Sequence, residues 1–188
     1  MRGCVVGEWV PDVRITGGTL KGRTVKVPVR SGLRPTSARV REAVFHRLQG
    51  RLKGAHVIDV FGGSGVLSLE AWSRGAARVT CVERDPVAVR AIRDNVRKLG
   101  AVVDVRCSDA RGLNGRFPKS FDLVLADPPY VDDPALWAGR LAGLVRSSGL
   151  LVLEHRAGRL APRQVELLAV EWQRRYGDSE VTMFTTKR

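Results

Sequence analysis

Residues 57–71 read VIDVFGGSGVLSLEA. A short β-branched run turns through a glycine-rich bend into a helix-favouring segment, which is a strand, a loop and a helix in that order. Further runs of the same kind follow at VTCVE (79–83), VVDV (102–105), FDLVLA (121–126) and LLVLE (150–154). Their composition predicts strands buried on both faces. Between them Val89, Ile92, Val96 and Leu99 recur at helical steps, with Asp85 as cap, Pro86 in the first turn and Gly100 as stop. Asp133 and Pro134 open a second helical segment carrying Leu136, Leu141, Leu144 and Val145. Such βαβ alternation predicts an α/β fold, a mostly parallel sheet with helices on both faces and its ligand site at the strands' carboxyl ends.

Both ends of the chain read differently. Two extended runs flank Gly177 and Asp178 with no helix between them, which predicts a C-terminal antiparallel hairpin closing the sheet. In front, RIT, the turn-rich GGTLKG and RTVKVP predict a small β-hairpin. GLRPTSARVREAVFHRL then predicts a helix capped at Thr36 or Ser37, with Val40, Val44 and Leu48 on its apolar face. The expected division is a basic hairpin-and-helix extension over 1–53 and a ligand-binding catalytic domain over 54–188.

The chain has 188 residues and a mass of 20.6 kDa, room for one well-buried domain with a small appendage. No stretch has the roughly 20 consecutive apolar residues of a membrane span, and MRGCVVGEWVPD lacks the pattern of a signal peptide, so a cytoplasmic protein without a membrane partner is expected. Cys4, Cys81 and Cys107 are odd in number and contain no CxxC, so reduced thiols are expected, with Cys81 and Cys107 on or near buried strands. Without a histidine or cysteine cluster, no metal is implied.

Lys and Arg number 32 against 19 Asp and Glu, a net charge of +13. Residues 1–53 hold 12 basic and 3 acidic residues, leaving 20 against 16 for the rest. A mostly arginine excess concentrated in an N-terminal arm suits phosphate gripping and base stacking, hence nucleic acid. The competing readings are a solubility surface or an anionic membrane patch.

Asp59 in the first strand, Glu83 in CVERD and Asp109 in CSDA put carboxylates at successive strand ends. Each alone could cap a helix, but together they suit a nucleoside offering ribose hydroxyls and an exocyclic amine. Adenosine within S-adenosylmethionine fits, and its sulfonium suits nearby carboxylates such as Asp59. The dinucleotide fingerprint fails because Gly63 and Gly65 are followed by Ser68 where a third glycine is wanted, and no P-loop lysine follows.

FDLVLA ends abruptly in DPPY, residues 127–130. Pro128 and Pro129 cannot continue a sheet interior and fix a stiff turn. An exocyclic base amine is a poor nucleophile because its lone pair is delocalised. Asp127 and a carbonyl of the Pro-Pro turn could accept its N–H groups as charge develops, and Tyr130 could stack on a flipped-out base.

VIDVFGGSG, CVERD and ADPPY resemble the cofactor loop, ribose-binding acid and catalytic motif of class I Rossmann-like, S-adenosylmethionine-dependent amino-methyltransferases. RITGGTLKGR and GLRPTSARVREAVF further resemble the RsmD family, and the likeness runs from Arg14 to the closing hairpin. That resemblance implies rRNA methylation at the exocyclic amine of a guanine in bacterial 16S small-subunit rRNA. The small basic arm, of about 50 residues, offers limited surface for reading sequence, so an assembled or partly assembled ribosomal particle is the expected substrate, with a monomer as the default state. The resemblance implies Asp127, Pro128, Pro129 and Tyr130 as catalytic. Gly63 and Gly65 would meet the cofactor's methionine part, Glu83 the ribose and Asp109 the adenine amine, with Asp59, Phe61, Ser64, Arg84, Ala110 and Asp127 completing the lining. Lys21, Arg23, Arg30, Arg34, Thr36 and Arg39 are the expected RNA-binding residues. His46 stands where the family has asparagine and Gly62 where it has alanine. Alternatives of other kinds are an adenine amino-methyltransferase acting on DNA, a non-catalytic module binding S-adenosylmethionine or RNA, and a dinucleotide oxidoreductase.

Overall fold

The structure, a computed structural model, describes residues 9–28, 37–129, 131–159 and 161–186. At its centre VIDVF forms β3 (His56–Asp59), with Val57 and Ile58 fully buried. β4 (Arg78–Glu83) and β6 (Phe121–Ala126) pair with it in parallel, one on each side. β5 (Asp104–Cys107) extends the β4 side and β7 (Val145–Arg156) the β6 side, both parallel. The C-terminal hairpin forms as expected, with β9 (Leu168–Tyr176) and β10 (Ser179–Thr186) antiparallel and β10 paired to β7. A two-residue strand, β8 (Gln164–Val165), lies beyond β9. The order of the sheet is β5-β4-β3-β6-β7-β10-β9-β8, so successive strands are laid outward from both sides of the β3/β6 junction. Ligands of open α/β sheets bind at the carboxyl ends beside such a switch point.

The helices start where local chemistry dictates. In α3 (Pro86–Leu99), Asp85 accepts from the Val87 N–H at 3.0 Å, Pro86 fills the first turn and Gly100 ends the helix at φ +65°. α4 (Pro134–Ala142) repeats the device, Asp133 accepting from the Ala135 N–H at 2.9 Å. Trp137, Ala138 and Leu141 of α4 pack over Ile58, Val124, Leu151 and Leu153 on one face of the sheet. On the other face, Val40, Val44 and Phe45 of α1 (Ala38–Arg47) cover Val57, Leu123, Leu125 and Val152. Ser37 caps α1, accepting from the Val40 N–H at 3.3 Å.

Three expectations need correction. The strand expected at 102–105 lies at 104–107 and is mostly exposed, with Val102 76 % exposed, because β5 is an edge with one neighbour and its Asp104 and Arg106 face water. Cys107, at its end, is exposed, whereas Cys81 on β4 is buried. The segment begun at Asp133 ends as a helix at Ala142: Val145 belongs to β7, and Trp137 fills the core position while Leu136 is exposed.

The front hairpin forms from β1 (Trp9–Arg14) and β2 (Thr24–Pro28), antiparallel, and docks on the body. Ile15, Leu20 and Val25 bury against Leu99 of α3 and against Val66 and Leu69 of α2 (Val66–Ser73). A polar latch accompanies them. Glu70 of α2, wholly buried, accepts from the Thr16 N–H at 2.7 Å and hydroxyl at 2.8 Å, and pairs with Arg74 at 3.0 Å and buried Arg41 at 3.6 Å. Arg41 in turn donates to the Arg14 carbonyl at 2.9 Å. Asn95 of α3 bonds both ways with the Lys26 backbone, accepting at 3.1 Å and donating at 2.8 Å.

Candidate active site

The register of the sheet decides which strand-end residues share an edge. Asp59 stands opposite Cys81 and Leu125, so Glu83 and Asp127 project two residues further toward the carboxyl edge. Glu83 stands opposite Cys107, and Asp109 lies two residues beyond that. Glu83, Asp109, Asp127 and the loop after β3 therefore line one end of the sheet, and Asp59 lies one layer beneath it.

The glycine loop is built by backbone geometry. Gly63 and Gly65 adopt φ of +53° and +79°, a region costly for side-chain-bearing residues. A Cβ on Gly65 would lie 2.9 Å from Cγ2 of Ile92 on α3. Gly62 is equally constrained: a Cβ there would lie 2.6 Å from the Cys81 sulfur and 3.0 Å from Cδ1 of Ile92. Cys81 and Ile92 leave room only for glycine at this position. Gly65 also caps α2 and donates to the Gly62 carbonyl at 2.6 Å, so the helix N-terminus opens from the loop.

Glu83 braces that loop from β4. Its Oε2 accepts from the Gly63 N–H and its Oε1 from the Asp85 N–H, both at 2.9 Å. A carboxylate offers about four lone-pair sites, so two remain for a pair of vicinal hydroxyls. Asp59 is wholly buried, and its Oδ2 accepts from the Ser68 hydroxyl at 2.7 Å and N–H at 3.1 Å. The Phe61 N–H is a further backbone donor favouring the ionised form. Burial pushes the Asp59 carboxyl up to about 6, with the charge of Glu83 adding and the Ser68 bonds opposing. Burial, and then the charge of Asp59, likewise push the Cys81 thiol well above its usual range.

Asp109 caps the short 3-10 turn Ala110–Gly112 and is gripped by Arg111, whose Nη2 lies 2.6 Å from Oδ2 and whose Nε lies 3.0 Å from Oδ1. Those side-chain bonds, first among several causes, hold the Asp109 carboxyl well below the usual range. Ala110 is buried beside it, Arg84 is exposed after Glu83, and Ser64 is buried in the loop. Phe61 packs edge-on against Trp137, ring centres 4.8 Å apart.

Asp127 leaves β6 half-buried, Pro128 is buried and Pro129 exposed. The Pro129 carbonyl accepts from the Asp132 N–H at 3.0 Å, closing a turn. Tyr130 lies outside the described residues, as do Arg30, Arg34 and Thr36. Lys21 and Arg23 are exposed on the docked hairpin, Arg39 is exposed in the first turn of α1, and His46 is exposed in its last turn. Sequence reasoning does not single out Ser68, Glu70, Asn95 or Asp132 for the contacts they make. Ser68 stands out in the sequence only as the residue that breaks a dinucleotide fingerprint, and in the structure it holds Asp59.

The arrangement is a glycine cradle at a helix N-terminus flanked by two carboxylates, with a stiff acidic turn on the next strand. Over residues 13–185 the chain matches the family described as Conserved hypothetical protein 95. It is 39 % identical over 120 residues to Ribosomal RNA small subunit methyltransferase D of Escherichia coli K12, covering 63 % of this chain and 61 % of that protein. It is 28 % identical over 180 residues to Putative rRNA methyltransferase YlbH of Bacillus subtilis, covering 92 % and 98 %. Among solved structures, Putative methyltransferase yhhF from Escherichia coli superposes with a TM-score of 0.80 at 29 % identity, covering 94 % of this chain and 99 % of that one. With a Rossmann-like fold and a family match across nearly its whole length, the chain belongs to the Conserved hypothetical protein 95 family, the RsmD family.

Proposed function

We propose that this protein transfers a methyl group from S-adenosylmethionine to the exocyclic amine of a guanine in small-subunit ribosomal RNA. The observation that carries this reading is the placement of the Asp127–Pro128–Pro129 turn on β6, beside the glycine loop of its neighbour β3, at one carboxyl edge of the sheet. When bound, S-adenosylmethionine would supply an electrophilic methyl group to the amine nitrogen and leave as the neutral thioether, and the proton the amine gives up would pass by way of Asp127 to solvent.

The residues present fit that cofactor. Gly63 and Gly65 keep the loop free of side chains where a ligand lies close, Glu83 has acceptor capacity left for the ribose, and Asp109 can take the adenine amine in place of an Arg111 donor. Asp59 supports the cradle from below through Ser68. At the acceptor side, the Pro129 carbonyl is engaged in its turn; Asp127 and the Pro128 carbonyl would take the N–H groups of the base. Fixed acceptors aimed at a developing positive charge need little reorganisation, which is how such a turn speeds transfer. Tyr130 would stack on the base.

The basic 1–53 extension presents Lys21, Arg23 and Arg39 to solvent, where they would contact RNA phosphates; the same role is proposed for Arg30, Arg34 and Thr36, which lie outside the described residues. The small extension offers limited surface for reading sequence, which favours a ribosomal particle, whose shape is already fixed, as substrate for a cytoplasmic monomer. Incubation with labelled S-adenosylmethionine and either small-subunit particles, protein-free rRNA or DNA, followed by mass spectrometry of nucleosides, tests the reading. N2-methylguanosine from rRNA is the expected product. Methyladenine from DNA, or no transfer at all, would overturn it.

A further inference from the structure

The geometry points to Trp137 as a positioning residue that ties the cofactor loop to the catalytic turn, with Asp132 as its hydrogen-bond partner and Arg159 holding the same stretch; this rests on the methyl-transfer reading above. Trp137 is buried on α4. Its ring meets that of Phe61, the residue leading into the glycine loop, at 4.8 Å and an interplanar angle of 86°. Its indole Nε1–H donates to Oδ2 of Asp132 at 2.9 Å. Asp132 is also the residue whose N–H closes the turn onto the Pro129 carbonyl at 3.0 Å. One side chain therefore touches the loop on β3 and, through a single hydrogen bond, the turn on β6.

Arg159, from the segment after β7, holds the same stretch from another side. Its Nη1 donates to the carbonyls of Val131 at 3.1 Å and Asp132 at 3.2 Å. Beyond Asp59, the Val60 N–H to Leu125 carbonyl bond at 2.9 Å is the last backbone link between the ends of β3 and β6 among the described residues. Past that rung, Trp137 bridges loop and turn through its ring and its N–H.

The relative placement of loop and turn matters because transfer requires nitrogen, methyl carbon and sulfur in line, with the acceptor set by the turn and the donor by the loop. A displacement of about 1 Å can cost on the order of a hundredfold in rate. A tryptophan that merely filled the core would act through its ring and not through its N–H. The two roles separate by substitution. Trp137→Phe keeps an aromatic ring against Phe61 and removes the donor, Asp132→Ala removes the acceptor, and Asp132→Asn keeps an acceptor oxygen.

Single-turnover methyl transfer to rRNA in small-subunit particles, calorimetric binding of S-adenosylmethionine and thermal unfolding are measured for wild type and variants. Trp137→Phe and Asp132→Ala are expected to slow the single-turnover rate about tenfold while cofactor Kd stays within about twofold, in line with loss of one aligning hydrogen bond. Asp132→Asn should retain most of the rate, and the Trp137→Phe/Asp132→Ala double variant should be no slower than either single one. Rates within about twofold of wild type for both single variants would overturn the inference, as would Asp132→Asn being as slow as Asp132→Ala, or slowing matched by loss of cofactor binding. A wild type that methylates no rRNA sinks the underlying reading and this inference with it; an active wild type with indifferent variants sinks this inference alone.

Discussion

Replacing Asp59 by asparagine tests how the cradle is supported. The carboxyl is wholly buried and pushed up from 3.8 to about 6, burial being the largest cause. A tenfold change in an ionisation constant corresponds to about 1.4 kcal/mol, so holding the carboxylate ionised in the folded state costs about 3 kcal/mol at pH values well above 6. The sign follows from proton binding. Between 3.8 and about 6 the folded protein holds the Asp59 proton more tightly than the unfolded chain does. This group's favourable contribution is therefore complete below about pH 4 and lost as pH rises through about 6. Asparagine keeps the shape and can still accept from Ser68, but it does not titrate. Its amide NH2 would take the place of a buried carboxylate oxygen, at a roughly constant cost of about 1–3 kcal/mol. That constant cancels when the difference between the two proteins is followed with pH. Urea unfolding at intervals from pH 4 to pH 8 should show Asp59→Asn gaining on wild type by up to about 3 kcal/mol across the range. Parallel stability curves would mean that Asp59 titrates alike folded and unfolded, and would refute the burial argument.

Gly62→Ala should destabilise by about 1–3 kcal/mol, since the new methyl meets the Cys81 sulfur, and adding Cys81→Ala should recover part of that loss in a denaturation cycle. Glu70→Ala leaves buried Arg41 and partly buried Arg74 without their shared partner and should cost about 3–5 kcal/mol, read as a lower urea midpoint. Arg111→Ala should leave the fold intact and release Asp109, measured as a rise in the Asp109 carboxyl pKa toward the ordinary aspartate value by NMR titration. Asp127→Ala should abolish methyl transfer with cofactor affinity largely retained in calorimetry; equal loss of both would make it a folding or cofactor residue.

The parallel core was legible because its signals are local. Val57, Ile58 and the run 121–126 are apolar enough to be buried on both faces, and Asp85, Pro86, Gly100 and Asp133 mark helix ends through bonds to residues at most a few positions away. β5 was misplaced because VVDV has strand composition, whereas burial is set by how many neighbours a strand finds, and an edge strand finds one. The latch on Glu70 could not be read because Thr16 and Glu70 lie 54 positions apart and neither stands out in composition. Gly62 looks like a departure from the family loop until Cys81 and Ile92 are placed beneath it. Trp137 and Asp132 sit five residues apart across a helix start, a spacing that shows nothing until the helix cap at Asp133 turns the chain.

The measurement that bears most directly on the central claim is nucleoside mass spectrometry, with primer extension to locate the site, on 16S rRNA from cells lacking this protein. Loss of N2-methylation at a single guanine, restored by the wild-type protein and not by Asp127→Ala, is the expected result. An unchanged methylation pattern, or restoration by Asp127→Ala, would contradict it.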